Sequence, residues 1–453
     1  VADKEKKKLG KIREGALSRT FALARMTAQA GVKAAGGAVG TLLAGSAEER
    51  AERVKKLALE QAELLTRELG RLKGSVMKVG QMVGLIGEHL LPPEAVRVLR
   101  MLNQESPPLA WPQIEKVLQS ELGPEKLAEL EIDRESYASA SLGQVHRARI
   151  RADGTQVAIK IQYPGVDRAI GSDLKALRTA LSVARLLPTG AGVDAIFDEI
   201  RTMLEQEVDY EIEAQSTHRF RDLLQGDPRF IVPQIYSRYS TKRILTTSFE
   251  PGLAVDGPEV AALPLERRTN LARNYMDLYY RELFVWHQVQ TDPHFGNYRI
   301  RLGEGGSPDR WVLFDFGAVR RIPETFLASY RWMVWGAVHQ NREALLKGAI
   351  GIGVLAAEDP PEIQEAFVSL TFLMTEPFHH GVYDWGNTDL VKRVMKQGGT
   401  LILTMKTQLR VPPRELVFLD RKLGGVFMTM NALRAQFDGN EVLDRYLPRP
   451  SDA

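Results

Sequence analysis

Two runs of strict alternation, Gln144-Val145-His146-Arg147-Ala148-Arg149-Ile150 and Gln156-Val157-Ala158-Ile159-Lys160-Ile161, stand on either side of Asp153-Gly154. Alternating runs joined by an Asp-Gly turn specify an antiparallel hairpin. Ahead of them Leu57, Leu64, Leu65, Leu69, Leu72, Val76, Val79 and Val83 recur at three- and four-residue steps, the period of a helix. Beyond Leu263 the helical period returns, interrupted at Gln290–Ile300 and Trp311–Phe316. Strands grouped in the middle and helices grouped after them, joined at Glu250-Pro251-Gly252, give an α+β protein of two lobes with a helical extension in front.

The 453 residues are too many for a single small core. Apolar residues at 44% and charged ones at 26% exclude collagen-like, wholly disordered and multi-span membrane classes. With no cysteine there is no disulfide frame, thiolate metal site or cysteine nucleophile, so the chemistry falls to oxygen, nitrogen and metal ions. The net charge of +3 gives no reason to expect a nucleic-acid partner. The basic residues do gather at the start, where Lys4, Lys6, Lys7, Lys8, Lys11, Arg13 and Arg19 outnumber Asp3, Glu5 and Glu14. No uncharged stretch approaches the ~18 apolar residues of a spanning helix, and no secretory signal is visible.

Four segments follow from composition and period. Residues 1–45 are basic and then Gly/Ala-rich, with Gly36 and Gly40 as a small-xxx-small pair that suits a membrane-surface or dimer helix and equally a weakly ordered helix packed on its own protein. Residues 46–135 are helical, with a helix from Glu94 to Leu102 and another from Pro112 to Leu122 that stops at Gly123-Pro124. Residues 136–250 carry the hairpin, a helix over Ala195–Phe220, and a strand pair near Ile231–Ile235 and Arg243–Phe249. Residues 251–453 are mostly helical, with amphipathic stretches at Tyr330–Leu346 and Glu365–Met374 whose Trp332, Trp335, Phe367 and Phe372 belong to a core.

Asp292-Pro293-His294-Phe295-Gly296-Asn297 is followed by a strand, Trp311-Val312-Leu313-Phe314, that ends in Asp315-Phe316-Gly317. An Asp with an Asn five residues on, then Asp-Phe-Gly after a strand, is the spacing of a kinase catalytic loop and its metal-binding aspartate. Phosphoryl transfer needs a carboxylate beside the acceptor, here Asp292, and oxygen ligands for Mg²⁺, here Asn297 and Asp315. Upstream, Val157-Ala158-Ile159-Lys160 is a V-A-I-K strand whose lysine reaches nucleotide phosphates. Ahead of that strand, Ala138-Ser139-Ala140-Ser141-Leu142-Gly143 has G-x-G-x-x-G spacing with alanines in the first two glycine positions, an altered phosphate-covering loop. Glu207, Asp209 and Glu213 lie on an acidic helix, the last two one turn apart, and one carboxylate there pairs with Lys160. Spacing leaves the choice between Glu207 and Glu213 open.

Lys78-Val79-Gly80-Gln81, the alanine loop, Gln162-Tyr163-Pro164-Gly165-Val166, Glu207-Val208-Asp209, the Asp292 loop and Asp315-Phe316-Gly317 occur together in this order. Leu91-Pro92-Pro93-Glu94 and Gly143-Gln144-Val145-His146-Arg147-Ala148 accompany them. The chain resembles the UbiB/AarF-domain family of atypical protein-kinase-like proteins over about residues 60–340. The resemblance implies a protein-kinase-like two-lobe fold with an N-terminal helical extension. Its K-x-G-Q segment, with Lys78 and Gln81 on one helical face, packs over the active site. It also implies ATP or ADP with Mg²⁺, work at membranes, and support of isoprenoid-quinone lipid biosynthesis. Thr247, Ser248 and Phe249 then fall at the adenine edge, Ser248 standing where relatives carry an acidic residue and Ser139 where alanine is commonest.

Thr291 occupies the arginine position ahead of the catalytic Asp, and no activation segment follows Gly317, so a peptide substrate has no obvious seat. The leading expectation is an Mg²⁺-dependent ATPase or small-molecule or lipid kinase: Lys160 on phosphates, Asp292 as base, Lys78 with Gln81 gating access. The alternative is a nucleotide-switched scaffold with little turnover. Expected partners are an adenine nucleotide, an anionic membrane surface or lipid intermediate, and a second copy or partner enzyme. The expected place is the cytoplasm at a membrane, bacterial, with an organelle left open.

Overall fold

The computed structural model describes residues 108–140, 142–183, 192–379, 381–404 and 412–451. The Gly36/Gly40 pair, the helix expected over Glu94–Leu102, Lys78, Gln81 and Ser141 lie outside the described residues. Among the described residues two compact units emerge, one ending at Gln215 and joined by Gln234–Phe249, the other made of Ser216–Pro233 and the described residues from Glu250.

In the first unit, helix α1 (Trp111–Ala128) has Pro112 in its opening turn, where a missing N–H costs nothing. Gly123, at φ 74° and ψ 169°, interrupts it for one residue. Pro124 then restarts the helix, so the stop expected at Gly123-Pro124 is a kink. Strands β1 (Leu130–Ile132), β2 (Ala138–Ala140), β3 (Gly143–Ile150), β4 (Gln156–Gln162) and β6 (Ile244–Ser248) form one antiparallel sheet in the order β1-β3-β4-β6, with β2 also on β3. The expected hairpin is the β3–β4 pair, Arg149 opposite Gln156 and Val145 opposite Lys160. Val157, Ile159 and Ile161 are fully buried on one face of β4, and Ile114 and Leu118 of α1 are buried likewise. Ala158, Lys160 and Gln162 take the other face.

Helix α2 (Val166–Val183) follows, then α3 (Gly192–Glu207) and α4 (Tyr210–Leu223). The single helix expected over Ala195–Phe220 is therefore broken at Val208-Asp209, where Val208 turns its side chain into the core and Asp209 caps α4. The strand pair expected near 231–235 and 243–249 is also divided. β5 (Phe230–Ile231) runs parallel to β9 (Arg310–Leu313) in the second unit, and only the stretch at Gln234–Tyr236 bonds to β6, through Ile235 opposite Thr247.

The second unit centres on α5 (Leu265–Tyr280), which runs into a turn of wider helix at Arg281–Val285. Around α5 lie β7 (Gln288–Gln290), β8 (Tyr298–Arg301), β9 and β10 (Val319–Arg321). Trp311, Tyr275 and Met430 are buried in one core, and the Trp311 indole donates to the Leu271 carbonyl at 3.0 Å. Among the described residues the longer helices that follow are α6 (Glu324–Val338), α7 (Arg342–Gly351), α8 (Pro361–Met374), α9 (Leu390–Thr404) and α10 (Arg414–Ala432). The helix expected over Tyr330–Leu346 is thus two helices, parted at Gln340 with φ 51°. Trp335, Phe367 and Phe372 pack against the core, as their spacing implied.

Candidate active site

The first unit assembles a lysine and its counter-ion. Lys160 sits on the central strand β4, where alternation turns it away from the fully buried Ile159 and Ile161. Its ammonium donates to both Glu213 oxygens, at 2.9 and 2.8 Å, and lies 5.0 Å from the centre of the Tyr210 ring. Glu213 is buried, one turn into α4. The break before α4 resolves the choice that spacing left open. Asp209 sits outside the helix, where it accepts from the Glu211 N–H at 3.1 Å and pairs with Lys242 at 3.0 Å. Glu207 ends α3. Gln162, on the same face of β4 as Lys160, donates to the Val208 carbonyl at 2.8 Å and so fixes the break against the strand.

The altered loop is a tight connection, with Ala140 opposite Gly143, Ala138 and Ser139 exposed, and Leu142 buried. Gly143 has a packing reason to be glycine, because a Cβ there would sit 2.3 Å from the Ile161 carbonyl oxygen on β4. At the end of the sheet the Ser248 N–H donates to the Gln234 carbonyl at 2.8 Å, and the Phe249 N–H to that of Gln156 at 3.1 Å. The Ser248 hydroxyl accepts from the Gln234 N–H at 2.9 Å, and the Thr247 hydroxyl donates to the Ser248 carbonyl at 3.2 Å. The backbone donors at 248 and 249 are therefore spent within the unit. Arg147 lies 4.2 Å from the Tyr137 ring centre and 4.6 Å from that of Phe249.

The run Gln144-Val145-His146 forms a buried polar relay. The Leu109 N–H donates to Gln144 Oε1 at 2.8 Å, Gln144 Nε2 meets His146 Nε2 at 2.8 Å, and His146 Nδ1 meets the Asp133 carbonyl at 2.7 Å. Asp133 O accepts only, so Nδ1 carries the proton and Nε2 accepts. Burial pushes the imidazole below its ordinary pKa, which keeps it neutral.

The second unit assembles the carboxylates. After β7, His294 Nδ1 accepts from the Gly296 N–H at 2.9 Å and opens a short turn, Phe295–Asn297. Asn297 Nδ2 donates to the Asp292 carbonyl at 3.1 Å and to its Oδ2 at 3.2 Å, which leaves Asn297 Oδ1 for a metal. Asp315 takes up φ 55°, a left-handed conformation that Asp tolerates better than most residues. Its Oδ1 accepts from the Gly317 N–H at 3.2 Å. Phe316 is buried 4.7 Å from the Phe220 ring. Thr291 uses its N–H and hydroxyl on the Ala318 carbonyl, at 3.1 and 2.8 Å. The chain after Gly317 therefore enters β10 beside β7 and reaches α6 at Glu324.

Three residues without a local sequence signal complete this arrangement. Gln290 is buried, and its Nε2 donates to the backbone carbonyls of both Asp292, at 2.9 Å, and Asp315, at 3.1 Å. One amide thus ties the two acidic residues at fixed separation. Beneath it Lys422 and Glu282, both almost fully buried, pair at 3.3 Å, and Glu282 accepts from the Gln290 N–H at 3.2 Å. Burial pushes the Glu282 carboxyl up while the Lys422 charge pulls it back down.

Among the described residues no cluster of three or more His, Cys, Asp or Glu side chains could hold a metal unaided. Two hard oxygen donors, Asp315 and Asn297, do fit Mg²⁺, which binds through one or two side chains with substrate phosphates and water as the other ligands. Among the described residues no helix is long and apolar enough to cross a membrane.

Residues 101–349 match the ABC1 atypical kinase-like domain. The chain is 32% identical over 396 residues to "Atypical kinase COQ8B, mitochondrial" of Danio rerio, covering 86% of this chain and 61% of the relative. It is 30% identical over 421 residues to "Atypical kinase COQ8, mitochondrial" of Saccharomyces cerevisiae, covering 91% of this chain and 81% of the relative. This chain thus spans less than two thirds of the zebrafish protein. A solved structure described as the Rv3197–erythromycin complex from Mycobacterium tuberculosis superposes with a TM-score of 0.60 at 26% identity, covering 89% of this chain and all of that one. The fold is kinase-like, the family match extends over more than half of the sequence, and the chain belongs to the ABC1 atypical kinase-like family.

Proposed function

We propose that this protein binds ATP with Mg²⁺ and turns it over, as an ATPase or as a kinase acting on a small molecule or lipid. The observation that carries the proposal is the Gln290 amide holding Asp292 and Asp315 together, with Asn297 tied to Asp292. Two metal-side oxygens and one further carboxylate, held at fixed separation, suit phosphoryl transfer, which is mostly positioning and charge stabilisation. In this reading Lys160, pre-oriented by Glu213, binds the nucleotide phosphates. Asn297 and Asp315 hold the metal, which neutralises phosphate charge when bound, and Asp292 orients the attacking water or hydroxyl. The loop from Ala138 to Gly143, Ser141 included, covers the phosphates, and the 247–249 segment meets the adenine edge through carbonyls, its 248 and 249 N–H groups being engaged. Lys78 and Gln81 gate access. The names of the COQ8 relatives support a mitochondrial setting, and the family resemblance supports a role in quinone-lipid metabolism at an anionic membrane surface, with a second copy or partner enzyme. Organisation into segments 1–45, 46–135, 136–250 and 251–453 belongs to the same proposal.

The test is steady-state ADP release from ATP with Mg²⁺, for the intact chain and for Asp315→Asn, with and without anionic liposomes. Asparagine keeps the size and left-handed backbone of Asp315 while removing its charge, so turnover should vanish with the fold intact. Calorimetric binding of nucleotide without turnover under every condition would replace this reading with the nucleotide-switched scaffold.

A further inference from the structure

The Asp292-bearing loop, Thr291 to Asn297, contains no lysine or arginine. Its cation comes from 129 residues further on. Arg421 of α10 donates through Nη2 to Asp292 Oδ1 at 2.5 Å, with side-chain exposures of 22% and 17%. Asp292 is thereby held from two sides, Oδ1 by Arg421 and Oδ2 by Asn297. The same side of α10 meets the loop once more and meets the groups that flank it. Lys422 reaches the Glu282 carboxylate and, at 3.4 Å, the Tyr298 hydroxyl, which itself donates to Gln290 Oε1 at 3.0 Å. Gly425, one turn after Arg421, lies so close to Pro293 that a Cβ would fall 2.0 Å from the proline Cβ. Positions 421, 422 and 425 share one side of a helix.

We infer that α10 is the strut of the catalytic loop and that Arg421 is a positioning residue, fixing the rotamer of Asp292 for the turnover proposed above, on which this inference rests. A charge-assisted hydrogen bond at this distance is among the stronger a protein makes, and it leaves Asp292 lone pairs for a water or hydroxyl. A lysine would give one donor on a flexible stem where arginine gives a planar fork. A displacement of about 1 Å in a reacting group costs on the order of 10²-fold in rate.

The experiment compares Arg421→Gln, Arg421→Lys, Asp292→Asn and the Arg421→Gln/Asp292→Asn double variant of the full chain. It measures ADP release with Mg²⁺, nucleotide Kd by calorimetry, and thermal midpoint. Arg421→Gln should lower kcat on the order of 10²-fold with Kd unchanged, Arg421→Lys should recover part of the loss, and Arg421→Gln should add nothing on the Asp292→Asn background. An undiminished kcat in Arg421→Gln, or an equal further loss in the double variant, would overturn the assignment. If the unaltered protein shows no turnover, the function proposed above fails by itself. The positioning role is then decided by hydrogen exchange of residues 290–297 without nucleotide. Arg421→Gln should speed exchange there and leave residues 144–150 unchanged, and equal exchange in both proteins would refute the strut.

Discussion

Replacing Lys160 with methionine should cost folding stability before it costs chemistry. Both oxygens of Glu213 are spent on the Lys160 ammonium, at 2.9 and 2.8 Å, and their side chains are only 6% and 18% exposed. Methionine fills much of the lysine stem's volume but supplies no donor, so the buried carboxylate loses both of its bonds to the ammonium. Removing one partner of such a pair costs about 3–5 kcal/mol, because the surviving charge keeps its desolvation penalty and loses its compensation. Removing both, as in Lys160→Met with Glu213→Leu, should recover most of that loss, since an apolar pair of similar volume is often neutral. The assay is urea unfolding followed by Trp111, the one tryptophan in the first unit, isolated by subtracting the signal of Trp111→Phe. With a urea slope of about 3 kcal/mol/M, the single variant's midpoint should fall by about 1–1.7 M. A fall corresponding to less than about 1 kcal/mol, or a double variant no more stable than the single one, would refute the claim that this pair is buried and mutually compensating. The outcome also decides how lost turnover in a Lys160 variant is read, because a collapsed first unit and a missing phosphate ligand give the same activity trace.

Two further perturbations bear on the first unit. Gly143→Ala should destabilise by about 3 kcal/mol, since its Cβ meets a backbone carbonyl that cannot move without parting β3 from β4; an unchanged urea midpoint would show that the strands can separate freely. His146 is held neutral with its pKa lowered by burial, so the unfolded chain binds the extra proton first as pH falls. Stability should therefore be full above pH ~6.5 and decline below it by up to ~1.4 kcal/mol per pH unit until the folded pKa is reached. In His146→Gln this acid slope should be missing, and a slope of equal size in both proteins would assign it to other groups.

The places where the sequence was legible and where it was not divide by the range of the interaction. The β3–β4 hairpin is written in contiguous residues, a period of two and an Asp-Gly turn, and so is the 292–297 turn, whose bonds from His294 to Gly296 and from Asn297 to Asp292 span a few positions. The partner of Lys160 depends on where a helix breaks. A helical period carried through Val208-Asp209 puts Asp209 and Glu213 on one face, whereas the break makes Asp209 a cap and leaves Glu213 as the inward carboxylate. That break has a cause a propensity argument does not weigh: the Val208 carbonyl accepts from Gln162, which is buried on the strand carrying Lys160. Arg421 lies further out of reach, because nothing within its own helix distinguishes an arginine that will meet a carboxylate 129 positions earlier from one that will meet water. Yet the pattern around it carries a trace. Arg421 and Lys422 precede Gly424-Gly425 in the middle of a 19-residue helix, where glycine costs about 1 kcal/mol relative to alanine. A helix accepts that cost where another chain segment must come close, and at Gly425 that segment is Pro293, the residue after Asp292. Adjacent charges on a helix whose interior glycine marks a close approach are therefore the signature of a support for some distant loop, although only the folded chain says which.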